Sequence, residues 1–154
     1  MYFAIPIFII LVDQISKFLA VKYLKGNGAF VIIDNFLRFY YVENYGAAFG
    51  ILKDRRIFFI IITIVVIISV IFFMVRYSRI LNKPIKIALL MLLGGAVGNL
   101  IDRVRLGYVI DFISVRLPGG YNFPVFNLAD SFIVISTILI MFFVLTSELE
   151  SWGS

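Results

Sequence analysis

The sequence predicts a mainly α-helical membrane protein, with four transmembrane helices and a small β-sheet in its first loop. Hydrophobic residues make up 62% of the 154 residues and charged residues only 15%, and the mean hydropathy is +1.06. A soluble domain is typically about half apolar and about a quarter charged. The apolar residues also form runs close to the roughly 20 residues that cross a bilayer. We therefore expect one integral membrane domain over residues 1–154.

Four apolar segments are predicted to span the membrane, at about residues 2–23, 57–77, 85–101 and 127–145. In the first, Asp13 and Lys17 lie on one helix face, and an opposite-charge pair partly offsets the cost of burying either ion. We interpret this pair as a structural clamp between helices, with catalysis as the alternative. The second segment is almost entirely Ile, Val and Phe, which predicts lipid contact and little chemistry. The third holds Gly94 and Gly98, whose spacing lets helix backbones approach closely.

The loop between the first two spans is predicted to form a small sheet at the membrane surface. Its runs Phe30–Ile33 and Leu37–Val42 are rich in β-branched and aromatic residues, which favour strands. The turn-prone pair Asp34-Asn35 separates them. The last loop contains Pro118-Gly119-Gly120, which predicts a turn.

The basic residues give a mixed signal about orientation. The short second loop, Arg76–Lys86, contains four basic residues and no acidic residue, which predicts that this loop and both termini are cytoplasmic. The first and third loops and their flanks nevertheless hold nine Lys and Arg residues, so charge supports this orientation only in part. The net charge is +5, and the basic residues lie beside apolar runs. We therefore expect phospholipid headgroups as its partner, and not nucleic acid.

Paired carboxylates are the catalytic groups that this sequence favours. The chain has no Cys and no His, which excludes disulfides, thiol nucleophiles and the usual serine–histidine catalysis. Asp111 and Asp130 flank the last loop beside apolar segments. Two carboxylates held close together can share one proton, so that one activates water while the other polarises a carbonyl. The alternative is that Asp130 serves the first helical turn of the fourth span while Asp111 faces water.

Two further polar motifs are candidates for binding a substrate. On a helix, Asn99 shares a face with Asp102 and Arg103, so that Arg103 could donate to a substrate carbonyl. The alternatives are an Arg103 that reaches the headgroups and a structural Asp102–Arg103 ion pair. Asn44 lies in the segment Glu43–Phe49 and offers both a donor and an acceptor for a peptide backbone. A plain turn is the alternative there.

Taken together, these motifs resemble the bacterial lipoprotein signal peptidase family, also called signal peptidase II. The resemblance extends over nearly the whole chain and rests on five ordered stretches: Asp13-Gln14-Ile15-Ser16-Lys17, Asn44-Tyr45-Gly46-Ala47-Ala48-Phe49, Gly94-Gly95-Ala96-Val97-Gly98-Asn99-Leu100-Ile101-Asp102-Arg103, Val109-Ile110-Asp111-Phe112 and Phe126-Asn127-Leu128-Ala129-Asp130. It implies a four-span peptidase of the bacterial cytoplasmic membrane with both termini cytoplasmic and a β-cradle in the first extracytoplasmic loop.

The resemblance also implies a reaction and a set of roles. The family removes the signal peptide of diacylglyceryl-modified prolipoproteins just before the lipidated cysteine, without a cofactor. Asp111 and Asp130 match its catalytic dyad. Asn44, Asn99 and Arg103 match substrate-binding positions. Four residues match positions that support the site, namely Asp13, Lys17, Asp102 and Asn127. We expect a monomer that contacts phospholipid and the prolipoprotein substrate.

Two other functions compete with this interpretation. Charged residues inside a membrane also mark proton relays, so a small proton-coupled transporter or channel subunit would respond to a pH gradient and release no peptide. Gly94, Gly98 and the apolar second span would also fit a structural assembly factor. Such a factor would co-purify with a partner and tolerate Asp111→Asn, whereas packing alone gives no reason for paired aspartates.

Overall fold

The computed structural model describes residues 4–46 and 55–152 of the chain. It contains four helices and three strands, which are α1 (Ala4–Leu24), β1 (Phe30–Ile33), β2 (Leu37–Asn44), α2 (Arg56–Arg76), α3 (Lys83–Arg105), β3 (Val109–Val115) and α4 (Leu128–Trp152). Each of the four helices is long and apolar enough to cross a membrane. The predicted fold class is therefore confirmed: the protein is a mainly helical, multi-pass membrane protein with a small antiparallel sheet. Ala47, Ala48 and Phe49 of the Asn44–Phe49 motif, and both ends of the predicted domain, lie outside the described residues.

Helix α3 is the central element of the bundle. It packs against α1, α2 and α4. It is capped by Asn82, whose side chain accepts a hydrogen bond from the backbone N–H of Ile85 at 3.0 Å. Such a cap satisfies one of the N–H groups that have no partner within the helix. Helix α2 is the most exposed of the four, and Val70 is its one buried residue. A bilayer would cover this surface, as the uniform apolar sequence predicts.

The sheet joins two loops that are far apart in the sequence. Strands β1 and β2 form a hairpin with a turn at residues 34–36, where Asn35 adopts a positive φ of 58°. Strand β3, which the sequence analysis missed, then pairs antiparallel with β2, and Val42 lies opposite Asp111. Asp111 therefore lies within a strand instead of at the mouth of an apolar segment. The segment before α4 pairs with β3. The backbone N–H of Ile113 donates to the carbonyl oxygen of Phe126, and the N–H of Phe126 donates to that of Ile113.

Glycine residues let the backbone of α3 approach helices α1 and α4 closely. A Cβ added at Gly94 would lie 2.9 Å from Cβ of Ile9 on α1, and one at Gly98 would lie 2.6 Å from Oδ2 of Asp13. One added at Gly95 would lie 2.6 Å from the backbone carbonyl oxygen of Ala129 on α4. The predicted close approach at Gly94 and Gly98 thus involves α1, while Gly95 forms the corresponding contact with α4.

We expect Gly95→Ala to lower the free energy of unfolding by about 1–3 kcal/mol, the usual cost of overpacking a well-packed interface. The new methyl group would meet the backbone of α4 at Ala129 and Cγ1 of Ile133 at 2.8 Å, so helix α4 must shift. Thermal unfolding in detergent measures the effect. Gly28→Ala is the matched control, because a Cβ there meets nothing within 4 Å. Equal midpoints for the two variants would contradict the close α3–α4 contact.

Candidate active site

Asp111 is a buried carboxylate that receives two amide hydrogen bonds. Its side chain is held on β3, and the residue is 1% exposed. Oδ2 accepts a hydrogen bond from Nδ2 of Asn44 at 2.8 Å, and Oδ1 accepts one from Nδ2 of Asn127 at 2.7 Å. Burial, followed by the charge of Asp130, raises the pKa of Asp111 to about 7 despite these hydrogen bonds. A carboxyl group of this kind retains its proton far above the ordinary range of aspartate.

Asp130 lies in the first turn of α4 and helps to begin that helix. Its backbone N–H donates to Oδ1 of Asn127 at 2.9 Å, and its Oδ2 accepts from the backbone N–H of Asn127 at 3.2 Å. This reciprocal pair is a capping box. Its Oδ1 accepts a hydrogen bond from Nδ2 of Asn99 at 2.7 Å. The helix-boundary alternative is therefore realised at Asp130, and the same carboxylate also faces the site.

Asn127 and Asn99 connect the two carboxylates. The Nδ2 group of Asn127 donates to Asp111 and also to Oδ1 of Asn99 at 3.1 Å, while Nδ2 of Asn99 donates to Asp130. Asn127 is fully buried and Asn99 is 5% exposed. Each amide is thereby fixed in orientation, because its oxygen and its nitrogen have different partners. The structure thus brings together four of the residues that the sequence singled out.

A buried ionic network lies beneath the two asparagines. The Nζ group of Lys17 is 2.9 Å from Oδ2 of Asp13, 2.9 Å from Oδ2 of Asp102 and 2.9 Å from Oδ1 of Asn99. The predicted Asp13–Lys17 pair forms, and it joins α1 to α3 through Asp102. Asp102 is therefore paired with Lys17 and not with its neighbour Arg103, so the structural Asp102–Arg103 ion pair does not form.

The network also orients the backbone around the site. The carboxylate of Asp13 accepts a hydrogen bond from the N–H of Ala129 in the first turn of α4, and that of Asp102 accepts one from the N–H of Ile110 on β3. The side-chain amide of Gln14 donates to Asp13 and Asp102. These bonds fix the residues next to Asp130 and Asp111. The sequence singled out Gln14 only as part of the Asp13–Lys17 motif, because its partner on α3 is distant in the chain.

A cavity of about 470 Å³ opens onto the two carboxylates. Its polar lining comprises Asn44, Arg103, Asp111, Asp130 and Ser131, so Arg103 shares the cavity with both acids. Most of the remaining wall is apolar, and it comes from residues 123–126 and from α4 residues 133–135. The site thus combines paired carboxylates with a surface suited to an apolar ligand. Within residues 4–46 and 55–152, no group of three or more His, Cys, Asp or Glu residues could hold a metal ion.

Comparison with known sequences identifies close relatives of the chain. A family model described as Signal peptidase (SPase) II matches residues 5–146. A lipoprotein signal peptidase of Caldanaerobacter subterraneus subsp. tengcongensis is 47% identical over 141 residues, which cover 91% of this chain and 92% of that protein. A lipoprotein signal peptidase of Clostridium tetani is 39% identical over 139 residues, which cover 90% and 88% of the two chains.

Two solved structures share the fold, and both are described as a bacterial membrane enzyme determined by the in meso method. The first, at 2.3 Å resolution, has a TM-score of 0.88 and 37% identity, with 96% of this chain and 88% of that chain covered. The second, at 1.9 Å resolution, has a TM-score of 0.83 and 38% identity, with 94% and 92% covered. The likeness therefore includes the bundle and the sheet together.

Proposed function

The chain belongs to the signal peptidase II family, and on this premise we propose that it removes the signal peptide from diacylglyceryl-modified prolipoproteins as an aspartyl endopeptidase. Membership in the family makes it a peptidase, and the relatives' names support lipoproteins as the substrate class. Cleavage occurs just before the lipidated cysteine. The observation that carries the aspartyl mechanism is that Asp111 and Asp130 line one cavity and are both hydrogen-bonded by Asn127.

In the proposed mechanism the two carboxyl groups share one proton. The ionised member takes a proton from water, whose oxygen attacks the scissile carbonyl carbon, while the protonated member donates a hydrogen bond to the carbonyl oxygen. The tetrahedral intermediate then breaks its C–N bond, and the departing amine receives a proton from the dyad. Asn44 and Arg103 line the same cavity, where their donors bind the substrate backbone. Asn99 and Asn127 hold the carboxylates in place.

The apolar lining of the cavity supports a substrate that enters from the bilayer. Residues 123–126 and 133–135 give it an apolar wall beside the polar end. Acyl chains and an apolar signal peptide can contact such a surface without leaving an apolar environment. We further propose a bacterial cytoplasmic membrane location, with both termini cytoplasmic, and a monomer surrounded by phospholipid. The short basic loop between α2 and α3 supports that orientation.

A cleavage assay with purified enzyme in nanodiscs tests the substrate class. Wild type is incubated with a diacylglyceryl-modified prolipoprotein and with its unlipidated form, and mass spectrometry identifies the products. We expect cleavage of the lipidated form alone, with the new amino terminus at the modified cysteine. If folded wild-type protein releases no peptide from either substrate, the proposal is wrong, and proton flux into liposomes would test the transporter alternative.

We expect kcat/KM to fall as the pH rises above about 7, approaching tenfold per pH unit. The reason is that Asp111, with its pKa raised to about 7 by burial and by Asp130, loses the proton that the mechanism requires the pair to share. The pH–rate profile of wild type, with a substrate that has no titrating group near the scissile bond, measures this limb. A rate that stays constant to pH 9 would contradict the shared proton.

Stability provides an independent check on the same titration. Because the pKa of Asp111 is higher in the folded protein than in the unfolded chain, the folded state binds more protons between about pH 4 and pH 7. The free energy of unfolding contributed by this group is therefore greatest below pH 4 and declines as the pH rises through 7. Asp111→Asn should remove that decline, whatever its effect on catalysis.

A further inference from the structure

We propose that Arg56 and Phe59, on the lipid-exposed helix α2, are positioning residues that hold Arg103 in the orientation in which it binds substrate. This inference rests on the proposed function and extends it to a helix whose sequence predicts little chemistry. Arg56 and Phe59 are three residues apart at the start of α2 and therefore share a helix face. The residue on which both act, Arg103, lines the cavity together with Asp111 and Asp130.

Arg56 fixes the backbone of Arg103. Its Nε donates to the carbonyl oxygen of Arg103 at 2.8 Å, and its Nη2 donates to that of Val104 at 2.7 Å. These carbonyls belong to the last turn of α3, where the helix dipole favours a cation. The carbonyl oxygen of Arg103 also accepts a hydrogen bond from the N–H of Gly107 at 3.2 Å. A guanidinium group can bind both carbonyls at once through its planar donors, whereas a lysine ammonium group has no such geometry.

Phe59 holds the side chain of the same residue. The Cζ atom of Arg103 lies 5.1 Å from the centroid of the Phe59 ring, which is a cation–π contact. Among the described residues, the acidic neighbours of Arg103 are Asp102, Asp111 and Asp130. Arg103 forms no ion pair with any of the three within 4.0 Å. Asp102 pairs with Lys17 instead. The ring thus retains the guanidinium beside the cavity and keeps its donors available.

This placement matters because a free guanidinium would be attracted to the dyad. An arginine paired with either carboxylate would favour the ionised form of that carboxylate and oppose the shared proton. It would also occupy the donors that the substrate needs. Helix α2 therefore has two surfaces, one that faces lipid and one, at its first turn, that positions Arg103.

Steady-state kinetics on the lipidated prolipoprotein test the inference, with the whole enzyme in nanodiscs. We expect Phe59→Leu to raise KM about threefold to tenfold, the range of a partly desolvated cation–π contact, with a smaller change in kcat. Phe59→Trp keeps an aromatic face and should remain within about twofold of wild type. Arg56→Gln should also raise KM, and Arg56→Lys should not restore it. In an Arg103→Gln background, Phe59→Leu should have no further effect.

Matched controls come from the same helix and from the residue just before it. Phe72→Leu removes a ring that is 66% exposed, and Arg55→Gln removes the same charge one residue from Arg56, without a side-chain cap bond to lose. Both should leave KM unchanged. The inference is overturned if Phe59→Leu and Arg56→Gln match these controls in an active enzyme, or if Phe59→Leu has its full effect without Arg103. Lack of cleavage by wild type would instead overturn the proposed function, and the positioning role with it.

Discussion

Asp111→Asn and Asp130→Asn are each expected to lower the cleavage rate of a diacylglyceryl-modified prolipoprotein by about 10²- to 10⁴-fold, the usual contribution of a positioned acid or base. Asparagine has nearly the shape of aspartate but can neither accept a proton from water at neutral pH nor supply one. In the proposed mechanism the two carboxyls share one proton, so removing either group should stop the same step. The double variant should therefore be little slower than either single variant.

The fold should survive these substitutions. Asp111→Asn presents an amide where the two donors of Asn44 and Asn127 now meet a carboxylate, which costs about one hydrogen bond, or about 1 kcal/mol. It also removes a buried charge, which acts in the opposite direction. Thermal unfolding of each variant beside wild type separates lost chemistry from lost structure.

Asp34→Asn is the matched control for the dyad. It removes the same charge from the exposed turn between β1 and β2, and it should leave both the rate and the unfolding midpoint unchanged. Cleavage at the wild-type rate by a folded Asp111→Asn or Asp130→Asn variant would remove that residue from the catalytic step. A loss of about 10²- to 10⁴-fold in the rate of both variants, with Asp34→Asn active, would support the dyad.

The sequence predicted the four spans because an apolar run of sufficient length has few other stable structures. It also predicted the β1–β2 hairpin, where β-branched runs flank Asp34-Asn35. It missed β3, although Val109–Val115 is itself rich in β-branched and aromatic residues. That strand pairs with β2, and both α2 and α3 lie between the two strands in the sequence. Short-range patterns carry no information about such a distant partner.

The same limit applies to the candidate site. Helical spacing predicted the contact of Lys17 with Asp13, which lies on the same helix. It could not choose a partner for Asp102, because Lys17 and Arg103 are both cations and only the packing of α1 on α3 brings Lys17 to 2.9 Å from it. The contact of Phe59 with Arg103 could not be predicted from the sequence for a related reason. Within a run of Ile, Val and Phe, a ring that faces lipid and a ring that faces a guanidinium have the same sequence signal.

Lys17 is the cation on which the buried part of the site depends. The residue is 1% exposed, and Asp13 and Asp102 are 0% and 3% exposed. One ammonium group therefore faces two carboxylates, each at 2.9 Å, and the same group donates to Oδ1 of Asn99. Removing a single partner from a buried ion pair is costly because the remaining charge stays in a poorly solvated place. Here two carboxylates would lose their partner at once.

We therefore expect Lys17→Met to lower the free energy of unfolding by at least about 3–5 kcal/mol and the thermal midpoint by on the order of 10 °C. Cleavage should fall too, because Asn99 would lose the donor that helps to orient its amide towards Asp130. Lys22→Met is the matched control, since Lys22 is exposed on the same helix. This substitution should leave both measurements nearly unchanged. Adding Asp102→Asn to Lys17→Met should restore part of the stability, because one of the two unpaired carboxylates is then removed. If Lys17→Met unfolds at the midpoint of Lys22→Met, the ionic network does not stabilise the bundle.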